Sequence, residues 1–239
     1  MKITEICHQA DVLLVAGGDG SLLRVVHRVF PHQIPILGIH MGSLGFLTGA
    51  RREDLKKAIV AIESQSFYCS PRMVLEATIR MEGRQEKIPC ALNDIVITRA
   101  PQGQMIRMGV KVNDKVMTEY MADGLIVATP TGSTAYSLAA GGPIVSPDAG
   151  VIIVTPLSPH TLSNRSVVLG GDAIVTVEIT GGRPPAYIEY DGCSLGEWYA
   201  GAILEIKASA HKVSLAYIPG NDFFHLLRSK LAWKGMNIS

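Results

Sequence analysis

Residues 11–16, Asp11-Val12-Leu13-Leu14-Val15-Ala16, form an apolar run behind one carboxylate, the pattern of a strand buried on both faces of a parallel sheet. The run stops at Gly17-Gly18-Asp19-Gly20. Beyond it Leu22, Val25, Val26 and Val29 recur at helical spacing, which predicts a helix capped by Ser21 and ended by Pro31. Ile36-Leu37-Gly38-Ile39 reads as a second buried strand. After Gly42-Ser43-Leu44-Gly45 a second helix is expected to bury Leu55, Ala58, Ile59 and Ile62. Strand, glycine turn, helix, strand, helix is the order of a Rossmann-like α/β layer, assigned to residues 1–70.

Past Ser70-Pro71 the period changes from helical to two. Ile106, Met108, Val110 and Val112 alternate with Arg107, Gly109 and Lys111; Asn113-Asp114 supplies a turn, and Val116, Thr118 and Tyr120 alternate back as a hairpin. Further strands are predicted at 74–80, 95–98, 125–129, 151–155, 174–179, 186–190, 203–207 and 213–217. Residues 71–220 therefore read as a β-rich, β-sandwich-like second domain. Phe223, Leu226, Leu227, Lys230 and Leu231 return to helical spacing, so residues 221–239 are expected to form a helix that packs back on the first domain.

Composition narrows the function classes. With 22 Lys+Arg against 21 Asp+Glu the net charge is +1, and no basic cluster exceeds Arg51-Arg52, which argues against nucleic acid as a partner. No apolar run approaches the ~18 residues of a bilayer span, and residues 1–6 lack the apolar core of a signal peptide, so a soluble, cytoplasmic protein without a membrane partner is expected. Cys7, Cys69, Cys90 and Cys193 are dispersed and show no zinc spacing. The 24 glycines are the unusual number, because they cluster beside polar residues where a ligand can approach the backbone.

Two segments carry candidate chemistry. The free N–H groups of a helix start face the bend at residues 17–20, a geometry that binds phosphate. The Asp19 carboxylate repels phosphate there unless it binds a metal or takes a proton; alternatively it caps its helix. From Asp123 a strand runs into Thr129-Pro130-Thr131-Gly132-Ser133-Thr134-Ala135-Tyr136, whose hydroxyls and aromatic ring suit a ribose and a planar base, or else form a hydroxyl-bonded turn before a capped helix. Asn93-Asp94 is a weaker candidate for the same cleft. His160 reads as a hydrogen-bonded structural histidine. No P-loop or protein-kinase signature is present.

Together these segments resemble the NAD kinase family. The resemblance covers Gly17-Gly18-Asp19-Gly20, residues 42–48, Leu92-Asn93-Asp94, residues 123–136, residues 159–165, Asp191-Gly192 and residues 227–233. It implies phosphoryl transfer from ATP, or polyphosphate, to the 2′-hydroxyl of the adenosine ribose of NAD, giving NADP, with Mg²⁺ or another divalent ion. It also implies a homo-oligomer, dimer or tetramer. By position, Asp19 would be the general base, Gly17, Gly18 and Gly20 would shape the phosphate loop, and Arg24 would reach a phosphate. Asn93, Asp94, Asp123 and Asp191 would hold NAD, while Thr131, Thr134, Ala135, Tyr136, Ser137, Leu138 and Ala139 would enclose a ring and its ribose in a cleft between the domains. No metal ligand is assigned.

The chain departs from the family pattern at Ser21 (commonly Thr), Asp94 (commonly Glu), His40 (often Asn) and Cys193 (commonly Gln). Only ten residues precede the first strand where the family carries a further strand and helix; either the sheet has lost an edge strand or the chain is a shortened form of a longer one, and a bare apolar edge would favour association. A lipid kinase sharing the glycine loop and a non-catalytic NAD(P)-binding regulator are the alternatives.

Overall fold

The computed structural model describes residues 3–42, 45–161, 163–181, 185–220 and 222–232. The chain divides into two compact units, Met1–Arg72 with Lys212–Ser239, and Met73–His211. The first opens with α1 (Ile3–Gln9), β1 (Leu13–Ala16), α2 (Asp19–Val29), β2 (Ile36–His40), β3 (Ala50–Arg51), α3 (Leu55–Glu63) and β4 (Tyr68–Arg72). The second contains β5 (Leu75–Met81), β6 (Arg84–Ala91), β7 (Asp94–Arg99), β8 (Ile106–Val112), β9 (Lys115–Ala122) and β10 (Gly124–Ala128). It continues through α4 (Tyr136–Ala139), β11 (Val151–Leu157), β12 (Val167–Gly170), β13 (Val175–Gly181), β14 (Ala186–Tyr190), β15 (Cys193–Trp198) and β16 (Ile203–Ala208). The chain then returns to the first unit with β17 (Val213–Tyr217) and α5 (Phe223–Lys230).

In the first unit the sheet order is β1-β2-β17-β4, with β3 also on β2. The β1, β3 and β17 pairings with β2 are parallel and β4 is antiparallel to β17. Four expectations are corrected here. The run at 13–16 is not buried on both faces: β1 is a sheet edge, and Leu14 is 49% exposed. The strand at 213–217 belongs to this sheet rather than to the β-rich domain, because β17 is inserted between β2 and β4. In α3 the side chains taken into the core are Ala58 and Ala61, while Leu55 and Ile59 are exposed, since the small residues bring the helix close to its neighbours. The helix at α2 begins at Asp19 with Gly18 as N-cap and no side-chain cap, so Ser21 lies inside the first turn rather than at its cap. Trp233 lies outside the described residues.

The second unit is a β-sandwich of two antiparallel six-stranded sheets, β12-β11-β10-β7-β14-β15 and β6-β5-β16-β13-β8-β9. Alternate residues point inward: Ile95, Ile97, Leu125, Val127 and Ile188 meet Ile79, Met108, Val177, Leu204 and Ile206 in one core. Each such side chain contributes roughly 1.5–3 kcal/mol on burial. The predicted hairpin forms between β8 and β9, and Asn113 and Asp114 both take positive φ (48° and 62°), as a two-residue turn matched to strand twist requires. Here β10 is the strand buried on both faces. Leu125 and Val127 enter the sandwich core, while Ile126 and Ala128 join Val96, Ile153 and Leu157 on the other side, covered by Ala140 and Val145. The segment after β10 is thereby held against the outer face of its own sheet.

Candidate active site

In the first unit Asp19 is the first residue of α2 and is half-buried. Its carboxylate does not cap its own helix. The Phe46 N–H donates to Oδ2 (3.0 Å) and the Leu47 N–H to Oδ1 (3.2 Å), so the next glycine-bearing loop is clasped to the start of α2. Gly45 makes this possible, because a Cβ there would overlap the Asp19 carboxylate. Each oxygen keeps a second lone pair, so the group can still accept a proton or a cation. Gly20 is exposed beside it, and Arg24, one turn on, donates to the Ser21 hydroxyl (3.2 Å), which keeps a guanidinium at the loop. His40 Nδ1 accepts from the Gly42 N–H (2.8 Å) and closes the turn after β2. Ser43 and Leu44 lie outside the described residues.

In the second unit residues 92–94 and 129–132 are bound together. The Thr129 hydroxyl donates to the Leu92 carbonyl (2.6 Å) and accepts from the Gly132 N–H (3.0 Å), and the Thr129 N–H donates to the Asn93 carbonyl (2.8 Å). Gly132 packs directly on that carbonyl, where a Cβ has no room. The strand-to-loop segment and Asn93-Asp94, read separately in the sequence, are thus one structure. Asp94 is 5% exposed. Burial, with the charges of Asp191 and Glu189 beside it, pushes its carboxyl up to about 7.

The hydroxyls of the loop are largely engaged within it. Ser133 Oγ donates to the Val145 carbonyl (3.2 Å) and accepts its N–H (3.1 Å), Thr134 Oγ1 donates to the Thr131 carbonyl (3.2 Å), and Ser137 shares a hydrogen bond with Thr155 (3.1 Å). Thr131 is buried, Ala135 and Leu138 are half-buried, and Tyr136 and Ala139 are exposed. The segment therefore forms the hydroxyl-bonded turn, with Tyr136 and Ala139 on its exposed side. Asp123 pairs with Arg99 Nε, and the Arg99 Nη1 donates to the carbonyls of Ala100, Pro101 and Gly103 (3.1 Å each). Thr98, Arg99, Pro101, Asp123, Tyr136, Leu157 and Ser158 line a cavity of about 260 Å³, which places predicted residues Asp123 and Tyr136 on one opening.

Asp191 is placed differently from Asp123. Its carboxylate faces protein backbone, accepting the N–H groups of Leu92 (2.7 Å), Asn93 (2.7 Å) and Asp94 (3.2 Å). Residues missed in the sequence are Thr129 as the link between the segments and Arg99 as the partner of Asp123. The dipeptide Asp191-Gly192 was itself a hairpin signal between alternating runs, and it is the turn from β14 to β15. His160 is exposed, and among the described residues only its backbone N–H is bonded, to the Met121 carbonyl (2.9 Å), so within them its ring is not tied as a structural histidine would be. Among the described residues no three His, Cys, Asp or Glu side chains are grouped to hold a metal ion, and no helix is long and apolar enough to cross a membrane.

Residues 2–67 match the ATP-NAD kinase N-terminal domain and residues 92–218 the ATP-NAD kinase C-terminal domain. The chain is 40% identical over 224 residues to the NAD kinase of Symbiobacterium thermophilum, covering 94% of this chain and 79% of that protein. Among solved structures it is similar to yeast NADH kinase complexed with NADH (TM-score 0.88, 28% identity, 96% of this chain and 68% of that one). It is also similar to an NAD kinase from Archaeoglobus fulgidus in complex with ATP (TM-score 0.79, 25% identity, 97% and 87%).

Proposed function

Because the chain belongs to the ATP-NAD kinase family, we propose that it transfers the terminal phosphoryl group of ATP to the 2′-hydroxyl of the adenosine ribose of NAD, giving NADP. The observation that carries the chemistry is the Asp19 carboxylate at the first turn of α2, held by two amides and retaining free lone pairs. In the transfer the 2′-oxygen forms a bond to the γ-phosphorus, the bond to the β–γ bridging oxygen breaks, ADP leaves, and the hydroxyl proton passes to Asp19. Little else is required of the protein beyond alignment and charge neutralisation. Gly17, Gly18 and Gly20 present backbone to the phosphates, and Arg24 offers a positive group one turn away.

A magnesium ion would neutralise phosphate charge when bound. The residues present fit it, since Mg²⁺ is ordinarily held by one or two carboxylates together with phosphates and water, and Asp19 is a carboxylate at the phosphate loop. Asn93, Asp94 and Asp123 hold the ribose and amide groups of NAD, and the loop from Thr131 through Tyr136 to Ala139 encloses a ring. The family match through residues 92–218 removes the lipid-kinase reading, which rested on the glycine loop alone.

The deciding assay is NAD with Mg-ATP, NADP being detected by an NADP-specific dehydrogenase. NADP formation proportional to protein supports the proposal; NAD binding without turnover would instead support the non-catalytic regulator. Polyphosphate in place of ATP and NADH in place of NAD define donor and acceptor. A cytoplasmic homo-oligomer is part of the same reading, with Leu14 on β1, 49% exposed, as a candidate contact. Light scattering at the 25.7 kDa monomer mass would remove that part.

A further inference from the structure

We infer that Asp191 is a positioning residue for the dinucleotide, acting on NAD through the backbone of Asn93 and Asp94 rather than by touching it. This rests on the reading above in which Asn93 and Asp94 hold NAD. Asp191 takes a left-handed φ of 46° at the first position of the two-residue turn it forms with Gly192 (φ 77°). From that turn both carboxylate oxygens receive the start of β7: Oδ2 accepts the Leu92 N–H, and Oδ1 accepts those of Asn93 and Asp94. The Asp191 N–H returns a bond to the Asp94 carbonyl (3.1 Å).

Thr129 completes the hold by bonding the carbonyls of Leu92 and Asn93. Every backbone N–H and C=O of residues 92–94 is thus bonded, the three N–H groups and one carbonyl by Asp191 alone. What remains free are two side chains: among the described residues neither the Asn93 amide nor the Asp94 carboxyl makes a side-chain hydrogen bond. Polar groups carried on an immobilised backbone lose little freedom when a ligand arrives, which is how a residue away from the ligand raises affinity.

Asp191 has a second, electrostatic influence. Desolvation is the larger cause of the raised Asp94 titration, followed by Asp191 and then Glu189 on β14. Cys90 on β6, Tyr190 on β14 and Cys193 on β15 are the other titratable groups of this cluster.

The test is Asp191→Asn, which keeps the shape but offers one oxygen to three amides. KM for NAD is expected to rise roughly tenfold or more, with KM for ATP and kcat within a few fold of the parent. In an Asn93→Ala/Asp94→Asn background the same substitution is expected to add little, because its route to NAD has been removed. In the single variant the pH at which KM for NAD changes should also move lower, since a charge beside Asp94 is gone; the separation from a purely structural role rests on the selective rise of KM for NAD with KM for ATP and kcat held.

Fully additive effects mean that Asp191 contacts NAD directly and overturn the inference, as do equal rises in both KM values. Asn93→Ala with KM for NAD unchanged overturns the underlying reading of Asn93 instead, whatever Asp191 does. Should Asp191→Asn fail to fold, Thr129→Val loosens the same segment from the other side. It is expected to raise KM for NAD selectively, with Thr129→Ser restoring the parent value; no change in Thr129→Val overturns the inference.

Discussion

Around Asp19 a half-buried carboxylate is held by two amides at 3.0 and 3.2 Å beside an exposed glycine, whereas around Asn93 the backbone is bonded at every N–H and C=O and the neighbouring carboxyl is 5% exposed. The first arrangement leaves a charged group with spare lone pairs at a helix start, suited to a phosphate whose charge and geometry change during transfer. The second removes backbone freedom before the ligand arrives, suited to a hydroxyl that must be aligned with its attacking direction. In the proposed reaction, transfer and alignment are thereby assigned to different local architectures.

Asp19→Asn strikes the reactive side and carries the largest expected effect. The amide cannot take the 2′-hydroxyl proton, so kcat should fall at least about a hundredfold while NAD binding is retained. Because one oxygen must now serve two amides, the melting temperature should also drop by a few degrees, which calorimetry will show. A variant that makes NADP within a few fold of the parent rate would remove Asp19 from the mechanism.

Asp123→Ala strikes the aligning side. KM for NAD should rise about ten- to a hundredfold with KM for ATP nearly fixed, since a carboxylate accepting hydrogen bonds contributes ~1.5–3 kcal/mol. The change also leaves the Arg99 guanidinium without its carboxylate, so Arg99→Ala is the control: it frees the carbonyls of Ala100, Pro101 and Gly103 but keeps Asp123. A collapse of kcat with NAD affinity intact would put Asp123 on the reactive side instead.

A smaller effect measures how tightly the aligning segment is closed. The folded Asp94 carboxyl titrates at about 7 against an ordinary 3.8. Between those values the folded protein keeps a proton that the unfolded chain releases, so the stability Asp94 contributes is present below about pH 4 and is lost as pH rises towards 7. Asp94→Asn has no such group. Its melting temperature relative to the parent should therefore improve by a few degrees from pH 5 to pH 8, and a pH-independent difference would mean that Asp94 is not desolvated. The smallest effect is chemical: Cys90, buried and pushed up to about 12, should resist a thiol reagent at pH 8 while exposed Cys69 reacts.

Local pattern was enough to read the α/β layer, the alternating strands, the hairpin at Asn113-Asp114 and the loops at Asp19 and 129–136, because helix spacing, strand alternation and turn chemistry are properties of adjacent residues. The two apolar runs at 13–16 and 125–128 look alike, yet β1 is an edge with exposed Leu14 and β10 is buried throughout. Only strand order separates them, and strand order is decided by pairing across the whole chain: β17 reaches the first sheet from beyond the entire second unit. The bonds from Asp191 to residues 92–94 span 97 to 99 positions, and the clasp from Asp19 to Phe46 and Leu47 spans 27 and 28. A side chain's type announces that it will seek a partner. Which partner it finds depends on free energy shared among distant segments that meet only when the sheets have formed, and that the tertiary structure alone decided.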